Sequence, residues 1–189
     1  MSGDQPVVRM ATAGDAWGLV THLDRHMAES GSPGTPVFTP IPAGSVWHDE
    51  LLFLQLQDFW QRPLTEFGWG RCWIVQTGQS VVGALVLRGA TTAAGLHRAT
   101  LAMGLEADFR RRRLGAALLQ HAVAWSEQQS EIAWLDLRVF AHNVAGLALY
   151  GRHGFAEIGR VVDFMRIAGE PLDDILMARR TPSLSTADH

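Results

Sequence analysis

The chain has 189 residues, 47% of them apolar and 19% charged, which suffices for one packed domain and excludes a chain that is disordered throughout. Sixteen basic against nineteen acidic side chains leave a formal net charge of −3, without the basic field that a general nucleic-acid binder needs. A single cysteine, Cys72, rules out an intrachain disulfide, and a cytoplasmic protein is the expectation.

Met1 to Pro6 carries neither a basic region nor an apolar run, so no secretory signal is expected there. No stretch approaches the roughly 20 apolar residues that cross a bilayer, so no membrane partner is expected. All sixteen basic side chains are arginines, and Tyr150 is the one tyrosine. Without lysine, no side chain offers a primary amine for self-acylation. No repeat of solenoid or propeller length is visible.

In chain order, Val7–Met10 reads as a short strand, and Asp15 as the N-cap of a helix whose apolar face carries Trp17, Val20, Leu23 and Met27. The Gly- and Pro-rich run from Gly31 to Pro42 predicts a long loop. A second helix is expected from Val46 to Trp60, closed by Pro63. Cys72–Val75 and Val81–Leu87 read as strands joined by a tight turn, Thr77–Ser80. A loop over Gly89–Gly95 leads to a strand from His97 to Leu105. A helix follows from Leu114 to Gln128, then a strand from Trp134 to Phe140 and a helix from Asn143 to Arg152. Strands over Phe155–Val162 and near Ile175–Met177 complete the pattern, with a polar tail over 181–189. This order excludes a (βα)₈ barrel and, without Gly-x-Gly-x-x-Gly after the first strand, a dinucleotide fold.

Two blocks carry chemistry. In the first, a strand ends at Leu105, Arg110-Arg111-Arg112-Arg113 form a basic turn, and a helix opens with Leu114-Gly115-Ala116. Helix N-termini present free N–H groups and partial positive charge, and small residues let a phosphate approach the backbone. In the second, Asn143 opens a helix, Tyr150 lies close to two turns later on the same side, and His153-Gly154-Phe155 ends it. His22 and His26, four apart on a helix, lack a third ligand, and no metal site is expected.

Together these blocks resemble the GNAT superfamily of acyl-CoA-dependent N-acetyltransferases. The family's Gln/Arg-x-x-Gly-x-Gly/Ala pyrophosphate motif falls on Arg110 to Gly115, with Arg113 in place of its first glycine. A downstream Asn…Tyr…Gly-Phe…Gly pattern falls on Asn143, Tyr150, Gly154, Phe155 and Gly159, with the small residue at Gly146. A positive φ at position 113 would be costly for arginine.

The resemblance covers about residues 7–12 and 70–180. It implies an α/β fold of α+β type, a mixed, mostly antiparallel central sheet of about seven strands flanked by helices on both faces. It implies a single domain over 1–180, with an acceptor segment over 26–69 and an acetyl-CoA half over 97–165.

It further implies acetyl-CoA as co-substrate. Backbone groups of Met103, Gly104 and Leu105 would hold the pantetheine arm, and Arg110, Arg111, Arg112, Arg113, Leu114, Gly115 and Ala116 the pyrophosphate. A backbone N–H near Leu105 would stabilise the oxyanion, Asn143 would position the cofactor, and Tyr150 would be the general acid. Ala99 and Leu101 occupy the positions where some members place a base, which leaves His97, by strand parity, with Glu29 and Glu66 as other candidates. Phe67 and Trp69 would line an acceptor pocket, or else pack the core. The implied activity is acetyl transfer to a primary amine of a small molecule or protein. The alternative is a non-catalytic acyl-CoA sensor, and the net charge argues against an aminoacyl-tRNA acceptor. Family members are often dimers, so a homodimer is a further expectation.

Overall fold

The computed structural model describes residues 5–33, 35, 37–39, 56, 58–167 and 169–182. Most of the helix expected over 46–60 lies outside them; residues 56 and 58–61 are helical. Of the polar tail, residues 183–189 lie outside as well.

Ten regular elements position the site: β1 (Val7–Met10), α1 (Ala16–Ala28), β2 (Gly70–Thr77), β3 (Ser80–Gly89), β4 (Arg98–Leu105), α2 (Leu114–Ser126), β5 (Trp134–Phe140), α3 (Val144–Arg152), β6 (Ala156–Ile167) and β7 (Glu170–Arg180). The seven strands form one sheet in the order β1-β2-β3-β4-β5-β7-β6. Every neighbouring pair is antiparallel except β4 and β5. The expected mixed, mostly antiparallel architecture is thus present.

Alternation along the strands sends two apolar sets to opposite faces. Trp73, Leu85, Leu87, Ala99, Leu101, Leu135, Leu137 and Met177 pack with Leu118, Leu119 and Ala122 of α2 and Tyr150 of α3. Cys72, Ile74, Val81 and Ala84 face α1 through Ala16, Leu19 and Val20. A side chain as fully buried as Leu19 or Leu85 contributes about 2 kcal/mol of transfer free energy.

The start of α1 differs from expectation. The Asp15 carboxylate does not cap the helix. It accepts the Thr12 N–H and hydroxyl, each at 2.8 Å, and pairs with Arg9, whose Nη1 lies 2.8 Å away. Arg9 sits on β1, six residues back along the chain and unrecognisable as a partner from spacing. Trp17, assigned to the apolar face, is 61% exposed, and Leu19 takes its place in the core. The expected Thr77–Ser80 turn is present: Thr77 pairs with Ser80, and Gly78 takes φ 56°, a backbone that favours glycine. β6 and β7 are longer than expected because each completes the other's hydrogen-bond ladder, a pairing their polar residues do not signal.

Candidate active site

The two parallel strands at the centre of the sheet separate. β4 and β5 pair from Arg98 with Trp134 to Leu101 with Leu137, and no further. Beyond that point β4 stays paired to β3 as far as Leu105 with Gly83, and β5 to β7 as far as Phe140 with Asp174. Among the described residues, Ala102 to Leu105 thus keep a partner strand on one side only, and a wedge opens between the strands. α2 and α3 both start at its wide end.

The turn from β4 into α2 is tied from several sides. Arg110 Nε donates to Leu105 O at 2.9 Å, and its guanidinium pairs with Glu29. The Glu29 carboxylate also accepts the Ala107 N–H, at 2.9 and 3.0 Å. Arg111 and Arg113 take φ 61° and 62°, with Arg112 between them on the negative side. Alternation of this kind turns successive N–H groups toward one concavity, which suits an anion. α2 follows directly, and its first N–H groups have no acceptor within the helix. An ideal Cβ on Gly115 would stand 3.4 Å from Leu105 Cδ1, 3.5 Å from Leu149 Cδ2 and 3.7 Å from Met103 Cε. Gly115 therefore lies where β4, α2 and α3 converge. An apolar wall, an added-strand edge and an anion cradle in one wedge fit a pantetheine arm with its pyrophosphate.

α3 is capped by Asn143, whose Oδ1 accepts the Gly146 N–H at 3.0 Å. A Cβ at position 146 would stand 2.8 Å from Asn143 Nδ2, so the cap requires glycine there. Tyr150 is 8% exposed, with its ring edge-on to Phe155 at 6.0 Å. Among the described residues its hydroxyl has no hydrogen-bond partner. Burial pushes its pKa up to about 12, which keeps the phenol protonated at neutral pH, as a proton donor must be.

Four residues assigned from sequence stand away from the wedge. His97 lies exposed ahead of β4, about 13 Å along the strand from the point where β4 and β5 part. Glu66 and Phe67 are exposed at the head of β2, whose Gly70 pairs with Arg88 at the far end of the sheet. Trp69 is fully buried beside Trp125 and offers an acceptor no surface. Glu29 does border the wedge, but its carboxylate is committed to Ala107 and Arg110. Arg110, assigned to the pyrophosphate, instead secures Leu105 and Glu29.

A cluster that sequence reading missed lies against β4. His22, fully buried, donates from Nδ1 to Glu106 Oε1 at 2.9 Å, and Arg25 Nε reaches the same oxygen at 3.0 Å. His26 stacks on His22 at 5.6 Å and on Phe38 at 4.4 Å. Phe38 also lies under the Arg110 guanidinium at 5.5 Å, and His142 Nε2 donates to Val37 O at 2.6 Å. Residues 37–39 thus bridge from α1 to the β5–α3 junction. The i,i+4 spacing of the two histidines was the one signal in the sequence; Glu106, 84 residues away, was not legible as a partner. Among the described residues no group of three or more His, Cys, Asp or Glu is arranged to hold a metal, and no helix is long and apolar enough to cross a membrane.

The sequence model of the Acetyltransferase (GNAT) family matches residues 39–155, more than half of the chain. The protein belongs to that family: it is a GNAT-family N-acetyltransferase, an enzyme class whose acyl donor is acetyl-CoA. Among solved structures, a GNAT acetyltransferase from Streptococcus pneumoniae superposes with a TM-score of 0.81 at 20% identity, over 93% of this chain and 99% of that one. YncA of Salmonella typhimurium, a structure holding acetyl-CoA, gives 0.76 at 12% identity over 97% and 98%. The ribosomal-protein-S18-alanine N-acetyltransferase of Escherichia coli gives 0.68 at 18% identity over 98% and 99%. At these identities the likeness is one of fold. No curated protein matches the chain in sequence.

Proposed function

We propose that this enzyme acetylates a primary amine of a small molecule or protein, with Tyr150 as the general acid. The observation that carries the reading is the separation of β4 from β5, with a free helix N-terminus at its wide end and a protonated tyrosine on α3. When bound, acetyl-CoA supplies a thioester, an acyl group already activated toward an amine. Backbone groups of Met103, Gly104 and Leu105 hold the pantetheine arm along the unpaired edge of β4. The N–H groups from Arg111 to Ala116 hold the pyrophosphate, and the side chains of Arg111, Arg112 and Arg113 add charge. Arg110 keeps the turn in shape from behind. Asn143 orients the donor from the head of α3. A backbone N–H near Leu105 faces the carbonyl oxygen as negative charge develops on it. Tyr150 Oη gives its proton to the departing sulfur, and Cys72, sealed in the core, takes no part.

Calorimetric titration with acetyl-CoA, followed by thiol release over a panel of amines, tests this. Tyr150→Phe is expected to lower kcat about 10²-fold while leaving acetyl-CoA affinity in place. Binding without thiol release on any amine would assign the chain to the sensor class instead.

A further inference from the structure

The reaction also needs a group to receive the amine's proton, and neither His97 nor Glu66 reaches the wedge. We infer that His26, seated on β4 at Gly104, is that group, an inference that rests on the transfer reading above.

Gly104 makes the seat. An ideal Cβ there would stand 2.4 Å from His26 Nε2 and 2.5 Å from Cδ2, so only the missing side chain lets this imidazole reach the strand. Gly104 sits between Met103 and Leu105, in the stretch of β4 that β5 has left. The ring is clamped between His22 and Phe38, both near-parallel to it at an interplanar angle of 17°, so its position is set by packing.

Orientation favours Nε2 as the base. Nδ1 is sealed from solvent, without a hydrogen-bond partner among the described residues, and faces Glu29 Oε2 at 3.8 Å. A carboxylate on that side favours the tautomer with hydrogen on Nδ1 and the lone pair on Nε2. Among the described residues, the charged and titratable groups around the ring are His22 from α1, Glu29 just after it, Glu106 just after β4 and Arg110 from the turn; Phe38 stacks on the ring without charge. Burial, with His22 and Arg110, lowers the His26 pKa to about 3, against the opposing pull of Glu106, so the ring is neutral at working pH. Bonding to carbon makes the amine nitrogen cationic, and its N–H is then far more acidic than that of the free neutral amine.

The balance is complete. The amine nitrogen forms a C–N bond to the acyl carbon and the C–S bond breaks. One N–H proton goes to His26 Nε2, and Tyr150 Oη protonates the thiolate. Solvent then returns a proton to Tyr150 and removes one from His26. The other titratable neighbours are engaged: Glu29 with Arg110, Glu106 with His22 and Arg25, His142 with Val37 O.

The test is steady-state thiol release from acetyl-CoA with hydroxylamine, which needs no acceptor pocket, and with the amine panel, for wild type, His26→Gln and His26→Asn. Thermal melting and acetyl-CoA titration on each sample establish folding and donor binding. Both variants are expected to bind acetyl-CoA as wild type does and to lose at least ~10-fold in kcat at neutral pH. Above the amine's own pKa, wild-type kcat is expected to be level with pH. In the variants it is expected to climb as hydroxide takes over the proton, a change that a packing role alone would not produce. Turnover that persists in both variants with a level profile overturns the assignment and leaves the transfer reading intact. A wild type that binds acetyl-CoA but turns over neither hydroxylamine nor any amine overturns both.

Discussion

Arg113 sits at the head of α2 with φ 62° and ψ 4°, a left-handed backbone that costs an L side chain roughly 1–2 kcal/mol. Such strain persists where surrounding structure enforces it, and it gathers at binding sites. Here Arg110 ties the turn to Leu105 O and Glu29, and Arg113 brings charge to the place where phosphate would lie. Arg113→Gly is therefore expected to raise Tm by about 2–4 °C, since a gain near 1 kcal/mol moves a chain of this size that far. The same substitution is expected to weaken acetyl-CoA binding at low salt, with the loss shrinking as salt is added. Melting curves and titrations at two ionic strengths check both arms. The sequence showed that a motif glycine was missing at this position; the positive φ that makes it matter came from the turn.

Elements are held in place by close approaches that single residues permit. A Cβ on Gly89, the last residue of β3, would stand 2.2 Å from Trp69 Nε1. Trp69 is fully buried and plugs the end of the larger core. Gly89→Ala must push the indole out of its packing, and overfilling of this kind costs about 1–3 kcal/mol. The expected result is a Tm lower by several degrees, with acetyl-CoA affinity unchanged because the wedge is at the other end of the sheet. Trp69 also shows why element-level reading from sequence is partial. A tryptophan between a helix and a strand suits a pocket wall or a core plug equally, and only the register of Gly70 against Arg88 places it. The same holds for Asp15, a sound helix cap by type, whose carboxylate goes to Thr12 and Arg9 because β1 runs beside it.

At the scale of the whole molecule, buried and paired ionisable groups set the response to acid. Folded His26 takes up a proton only near pH 3, held down by burial, His22 and Arg110, whereas in the unfolded chain it does so near the ordinary ~6.5. Between those values the unfolded chain binds the extra proton, so falling pH favours unfolding, by at most about 1.4 kcal/mol per pH unit. Glu106 works in the same direction lower down. Although burial raises its pKa, hydrogen bonds from His22 and Arg25 win and the net shift is downward. Its stabilisation is present above the unfolded value of about 4.3 and is lost as pH falls below that. Chemical unfolding is expected to show stability declining from about pH 6.5 downward, and His26→Gln is expected to flatten the upper part of that decline. An unchanged slope in the variant would show that His26 is not held neutral by its surroundings.

The sequence by itself determined the order of elements, the strand–turn–helix passage from Leu105 to Leu114, and the placing of Asn143 at the head of the helix that carries Tyr150; the antiparallel bias was what the family resemblance implied. These depend on neighbours along the chain: hydrophobic period, capping residues, and a small residue at a helix start. The tertiary structure decided what depends on residues far apart. The parting of β4 from β5 is a matter of register between strands about 36 residues apart. The engagement of Glu29 by Arg110, the burial of Trp69 and the seating of His26 on Gly104 join segments about 20 to 80 residues distant. Local physics constrains a residue's backbone and the face it occupies. What a side chain finally touches is set when those faces pack, and that is what seats His26 on Gly104, beside the stretch of β4 that β5 has left.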